Sequence, residues 1–283
     1  MGETTLAQAP ALTVIRIKPT RGWAPIHLGD LWEYRELLYF LIWRDVKVRY
    51  KQTALGVAWV VLQPLATTLI FTVIFGNLAK ISSGNLPYAV FAMAGLVPWN
   101  FFSGAFTRGS GSLVGSAHLI SKVYFPRLII PIAGVLGGLV DMAIVMVLLF
   151  ALMLYYGIVP TLAVLTLPLF VLMAIGTALG VSLWFSALNV QYRDVNYLVP
   201  FIAQFWLYAT PVVYPSSLIP EKWRVIYGLN PMAGVVEGFR WALFGTGEGP
   251  GPMLLVSVAM VAFILVSGAF FFRRMERTFA DII

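Results

Sequence analysis

Cysteine is absent from the 283 residues, which excludes disulfide frameworks, thiolate catalysis and zinc held by sulfur, and leaves the redox compartment unreadable from this residue. Charge is scarce as well: 11% of residues are Asp, Glu, Lys or Arg, against about a quarter in a soluble domain. Histidine occurs twice, at His27 and His118, with no serine, cysteine or carboxylate pair around either at a spacing useful for catalysis. Gly104, Gly109, Gly111 and Gly115 make no phosphate loop, because no Gly-x-x-x-x-Gly-Lys-Ser/Thr exists anywhere. No enzyme constellation, metal site or cofactor is therefore expected in this chain, and it has no P-loop with which to hydrolyse ATP.

What the chain has in abundance is apolar length. Hydrophobic residues make up 60% of it and the mean hydropathy is +0.86, which marks an integral membrane protein. The formal charge is +7, but the basic residues cluster beside apolar runs, which fits anionic lipid headgroups better than nucleic acid. The first thirty residues hold no apolar run of signal-peptide length, so residues 1–29 are expected to be retained as an N-terminal segment.

Six segments are apolar enough to span: Ala54–Gly76, Tyr88–Thr107, Leu128–Tyr156, Leu162–Leu188, Tyr197–Tyr214 and Met253–Phe272. The expected fold is an all-α membrane protein with six transmembrane helices. An even number puts both termini on one side. That side, with Met1–Thr53, the 108–127 stretch, the Arg193 loop and the tail, carries 15 of the 19 Lys and Arg residues. The positive-inside rule makes it cytoplasmic.

Residues 108–127 interrupt two apolar runs with a short helix-capable piece, Ser116–Tyr124, stopped by Phe125-Pro126. Its hydroxyls, His118 and Lys122 need water, so it must lie outside the hydrocarbon as a handle. Asp30 and Glu33 suggest a capping box for a helix over 31–51. Glu33, Glu36, Arg44, Lys47 and Lys51 share one face and Leu31, Tyr34, Leu38, Leu41 and Ile42 another. Its unbroken apolar run, Leu37–Trp43, is too short to cross a bilayer that needs about twenty residues, so it is read as an amphipathic interface helix. A packed face of a soluble domain is the alternative.

Between spans five and six, Pro215–Gly251 is too charged to span cleanly and too apolar for a free loop. Two short re-entrant helices over about 219–245 are expected, broken at Asn230-Pro231 and carrying a Glu237–Arg240 pair; a hairpin of two further spans is the alternative. Asp141 lies deep in span three, where an unpaired charge costs about 2.5–3.5 kcal/mol. It is expected to face protein or water, through structural hydrogen bonding, cavity lining or transport chemistry. Gly134, Gly138, Gly176 and Gly180 offer small faces for close helix packing. Trp99, Phe101, Phe102 and Phe106, with Phe201, Phe205, Trp206, Tyr208 and Tyr214, are either interfacial belt and core, or flat faces past which sugar rings slide.

Three patterns carry a resemblance. Arg44-Asp45-Val46-Lys47-Val48-Arg49-Tyr50-Lys51-Gln52-Thr53-Ala54-Leu55-Gly56, with Trp59 and Pro64, resembles the entry to the first span of ABC-2 type permeases that export polysaccharides. Leu119-Ile120-Ser121-Lys122-Val123-Tyr124-Phe125-Pro126-Arg127 with Pro131 resembles their loop between spans two and three. Tyr192-Arg193-Asp194-Val195, Thr210-Pro211-Val212-Val213-Tyr214, Ile219-Pro220 and Leu229-Asn230-Pro231-Met232 with Arg240 resemble their second half; Thr210 stands where serine is expected. The likeness runs from about residue 30 to the end, as one ABC-2 transmembrane domain, and is greatest to O-antigen and teichoic-acid exporters.

The resemblance implies a half-transporter of the bacterial cytoplasmic (inner) membrane, paired with a second copy and with two copies of an ABC ATPase that holds the ATP and magnesium. Ser116, His118, Leu119, Ile120, Lys122 and Tyr124 would form the coupling helix. Trp99, Phe102, Phe106, Phe201, Phe205, Trp206, Tyr208 and Tyr214 would line the channel, and Trp223, Asn230 and Arg240 would form an outer gate. The implied cargo is a glycan on undecaprenyl pyrophosphate, with Arg44, Lys47 and Arg49 attracting the pyrophosphate or anchoring lipid headgroups. The rivals are an ABC-2 exporter of a small hydrophobic drug or lipid, and a secondary carrier or channel without an ATPase. A membrane-embedded glycosyltransferase lacks a candidate base.

Overall fold

The computed structural model describes residues 28–51, 56–245, 249 and 251–279, and the regular structure among them is helical. His27, nearly all of the expected segment 1–29, and the Asp30 side chain expected to cap the first helix lie outside the described residues. Helices α1 (Leu28–Glu33) and α2 (Arg35–Lys51) lead to α3 (Gly56–Phe71), which widens into a π-helical turn at Thr72–Leu78. Then come α4 (Tyr88–Gly115), α5 (Ala117–Lys122), α6 (Ile129–Leu136), α7 (Leu139–Tyr155) and, after a tight turn at Leu162–Thr166, α8 (Leu167–Gln191). Helices α9 (Val195–Tyr208), α10 (Glu221–Tyr227), α11 (Pro231–Phe244) and α12 (Pro252–Met275) follow.

The axis of the fold is α4. Its 28 residues give about 42 Å of helix at 1.5 Å per residue. It packs on α8 and α6, with α7, α9 and α11 around it, and α12 backs α8. Small residues set these crossings. A Cβ on Gly180 would sit 2.7 Å from the backbone nitrogen of Leu265 in α12, and one on Gly134 would sit 3.4 Å from the Cα of Gly109 in α4. The glycine faces expected to allow close approach are used in this way.

Among the described residues, five helical segments are long and apolar enough to cross a membrane: Gly56–Leu78, Tyr88–Gly115, Ile129–Tyr155, Leu162–Gln191 and Pro252–Thr278. The sixth expected span, Tyr197–Tyr214, is not among them. Its helix, α9, has 14 residues, about 21 Å, against a hydrocarbon core of about 30 Å. The chain still travels between the two ends of α4 here. Asn189 donates to Ser110 O and to Asn196 Oδ1 near the start of α9, and the Tyr88 hydroxyl donates to Val213 O past its end. A buried turn at Thr210–Val213 covers the distance that the helix does not.

The third expected span is also broken, at Gly137–Gly138, into α6 and α7. The expected interface helix 31–51 is two helices meeting at Tyr34. Its separation of faces is weaker than its charge spacing suggested: α2 buries Leu41 and Val46, while Tyr39, Phe40 and Trp43 are exposed beside Glu36, Arg44 and Lys47.

One end of the bundle gathers distant parts of the chain. Leu41 of α2, Leu113 of α4, Phe125, Ile129 and Ile130 of α6, Ala187 of α8, Phe272 and Phe279 form one core cluster. The first described helices and the last described residues thus lie at the same end as α5.

Candidate functional site

The handle starts where α4 stops. Ser116 O accepts from the backbone nitrogens of Leu119 (2.9 Å) and Ile120 (3.1 Å), which turns the chain into α5. The helix expected over Ser116–Tyr124 ends at Lys122, because Val123 is already extended ahead of Phe125-Pro126. Leu119 and Ile120 are half-buried against the end cluster, whereas His118 and Lys122 are exposed and Tyr124 is 85% exposed. The base is braced: Arg127 Nη1 donates to Glu276 O (2.6 Å), and Glu276 Oε2 pairs with Arg273 Nη1 (2.7 Å). A force on Tyr124 would therefore reach α4, α6 and α12 together.

Beside the handle, Asp141 sits in the first turn of α7 rather than mid-helix, a consequence of the Gly137–Gly138 break. It accepts from Arg49 Nη1 and from the Tyr50 hydroxyl, and Arg108 Nη1 lies 3.8 Å away. Of its three expected roles, structural hydrogen bonding is on view here, together with cavity lining in the cleft between α3, α4 and α7. The cluster ties α2 to α4 and α7. Burial, with Asp141 alongside, pushes the Tyr50 hydroxyl up to about 12, so it remains a protonated donor throughout the physiological range. Among the basic candidates, Arg49 thus turns inward, Arg44 pairs with its neighbour Asp45 (2.8 Å), and Lys47 is exposed.

The aromatic channel candidates divide. Trp99, Phe102 and Phe106 are buried within this single chain: Phe102 stacks near Phe106 at 5.9 Å, meets Trp206 edge-on at 4.9 Å and lies 5.3 Å from Trp99. They build the core under α9 and expose no wall. Phe201, Phe205 and Tyr208, by contrast, are about 60% exposed, and with Tyr197 at 83% they make one outward stripe on α9. Trp206 and Tyr214 are half-buried. Trp206 Nε1 donates to Asn230 Oδ1 (2.8 Å), and the Tyr214 hydroxyl meets that of Tyr227 at 2.8 Å.

Sequence reasoning missed a polar cleft between α3, α4 and α7, with a volume of about 370 Å³. Gln63, Asn100, Ser103, Thr107, Arg108 and Asp141 supply its polar wall. The signal was present: Asn100, Ser103 and Thr107 recur at spacings of three and four, which puts them on one face of α4.

The gate candidates also divide. Trp223 is exposed, but Asn230 and Arg240 are joints. Asn230 caps α11 by accepting from Met232 N (3.1 Å), and it donates to Ala209 O (2.9 Å) and Thr210 Oγ1 (3.0 Å). Arg240, 3% exposed, donates to Pro211 O and Val212 O, each at 2.6 Å, pairs with Glu237 at 3.1 Å and lies 3.6 Å over the Phe91 ring. It satisfies the carbonyls of the buried turn that follows α9. The expected Glu237–Arg240 pair is present, although Arg240 also grips the turn.

The model of the ABC-2 type transporter family matches residues 36–244. The chain is 32% identical to an O-antigen export system permease protein of Klebsiella pneumoniae, over 91% of this chain and 97% of that one. It is 30% identical to the Myxococcus xanthus O-antigen export system permease protein over 85% and 92%, and 24% identical to an Escherichia coli polysialic acid transport protein over 72% and 79%. A match across most of its length, on the segments that hold the handle, the cleft and the braced turn, makes this chain a member of the ABC-2 type transporter family.

Proposed function

We propose that the chain is the permease subunit of an ATP-driven exporter of a lipid-linked polysaccharide, of the O-antigen or teichoic-acid class, in a bacterial inner membrane. Two copies would enclose the passage, and ATP with magnesium would be held by a separate ABC ATPase bound at the α5 end. The termini and the handle would face the cytoplasm. Closure of the ATPase would move Tyr124 and Leu119, and the Arg127–Glu276 brace would carry that displacement into α4 and α12.

The observation that carries the reading is the α9 aromatic stripe. It is exposed in one copy, in a family member whose relatives are named for O-antigen and polysialic acid transport. Flat rings hold sugars by shape, each weakly, so a long chain can slide past many of them. The polar cleft of Gln63, Asn100, Ser103 and Thr107 would meet sugar hydroxyls. Lys47 and Arg44 would attract the pyrophosphate. Helices α10 and α11 pack against the first turns of α4, α8 and α12, a position that suits re-entrant helices flanking the outer mouth, with Trp223 exposed there. This reading gives six passages through the membrane, the α9 passage being completed by the braced turn.

The test is reconstitution of the chain with a candidate ABC ATPase subunit from the same organism, in vesicles preloaded with lipid-linked polysaccharide. Transfer should require both proteins and ATP; transfer by the chain alone without ATP would favour the carrier reading and sink this one.

A further inference from the structure

One large groove belongs to neither the handle nor the cleft. It runs along α12 against α8, has a volume of about 1010 Å³, and is walled by Trp184, Phe263, Val266, Phe270 and Phe271. Trp184 stacks on Phe271 at 4.1 Å, and its Nε1 donates to Ser267 Oγ (3.2 Å), so this wall is locked in place. Phe263 is 64% and Val266 53% exposed within it. At the α5 end the same groove is closed by Arg273, Arg274 and Arg277. Arg273 pairs with Glu276 through Nη1 yet keeps a buried Nε–H with no acceptor among the described residues.

We propose that this groove is a site for an anionic phospholipid, its acyl chain along Trp184, Phe263, Val266 and Phe270 and its phosphate against the three arginines. Two features decide the class. From Ala262 to its end at Met275 the α12 backbone rises about 20 Å at 1.5 Å per residue, with Arg277 in the turn just beyond. That matches one leaflet, half of an approximately 30 Å core plus its headgroup layer. A basic cluster at the end of an apolar groove between spanning helices complements a lipid phosphate; three arginines set against the Glu276 carboxylate favour an anionic headgroup over a zwitterionic one. The inference rests on the membrane topology and is independent of the cargo.

The experiment is native mass spectrometry of the intact chain released from nanodiscs made with phosphatidylglycerol or with phosphatidylcholine. Retained phosphatidylglycerol should exceed phosphatidylcholine by about tenfold, given the attraction of each arginine for an anionic headgroup. Arg274→Gln with Arg277→Gln should abolish that preference. Val266→Trp should fill the groove and lower retention with the arginines intact. Equal retention of the two lipids, retention unchanged in both variants, or release of the phosphatidylglycerol by inorganic phosphate would overturn the proposal. Should the arginine variant not fold, the Val266→Trp arm decides alone.

Discussion

Helices α4 and α9 both carry aromatic residues one turn apart, and they meet opposite surroundings. Along α4, Trp99, Phe102 and Phe106 disappear into the core, and 78% of the spanning stretch of this helix is buried. Along α9 only Val195, Val199 and Ala203 are buried, and Tyr197, Phe201, Phe205 and Tyr208 stand clear of the chain. α3 resembles α9, with 11% of its spanning stretch buried and Trp59, Leu62 and Leu69 exposed. An aromatic period therefore fixes which face of a helix is used but leaves its partner open. For α4 the partners are α6 and α8; α9 packs its other face on α4, and the described residues leave its aromatic stripe uncovered.

The comparison can be broken most severely at Arg240. Removing a buried charge that holds two carbonyls should cost about 3–5 kcal/mol. Arg240→Ala should then sharply lower the melting temperature in detergent or prevent accumulation, with Arg240→Lys intermediate. Phe102→Ala, a cavity beneath α9, should cost about 3–5 kcal/mol by the same assay. If it melts like the parent, α4 is not the packed axis. Asp141→Asn removes the negative charge that Arg49 pairs with and should cost about 1–3 kcal/mol, read as a lower melting temperature that Arg49→Gln in the same chain partly restores. Phe201→Ala with Phe205→Ala should stay within about 0.5 kcal/mol of the parent while polysaccharide export falls. A stability loss equal to that of Phe102→Ala would make α9 core like α4. Smallest in stability is Tyr124→Ala, expected within about 0.5 kcal/mol, with weakened retention of the ATPase on an affinity column and a matching fall in export.

The handle, the long spans and the glycine crossings were legible because each is a local pattern: polar groups between apolar runs, length, and small residues four apart. Three things were not. Asp141 plainly needed a partner, but Arg49 lies 92 positions away, and only the fold makes them neighbours. Arg240 read as a gate residue paired with Glu237, which is close in sequence, whereas its main acceptors, Pro211 and Val212, are 29 and 28 positions distant. The apolar run through Tyr214 looked long enough to span, yet Thr210–Val213 leave the helix. A buried turn is as apolar as a helix, and the arginine that stabilises it is remote.

The central claim is that the α5 handle stands on the cytoplasmic side, in reach of an ATPase. Because the natural chain has no cysteine, Ser121→Cys provides a single reporter on the exposed side of α5. A membrane-impermeant maleimide should label it in inverted vesicles and leave it untouched in intact spheroplasts. Labelling from outside intact spheroplasts would place the handle on the wrong face and contradict the account.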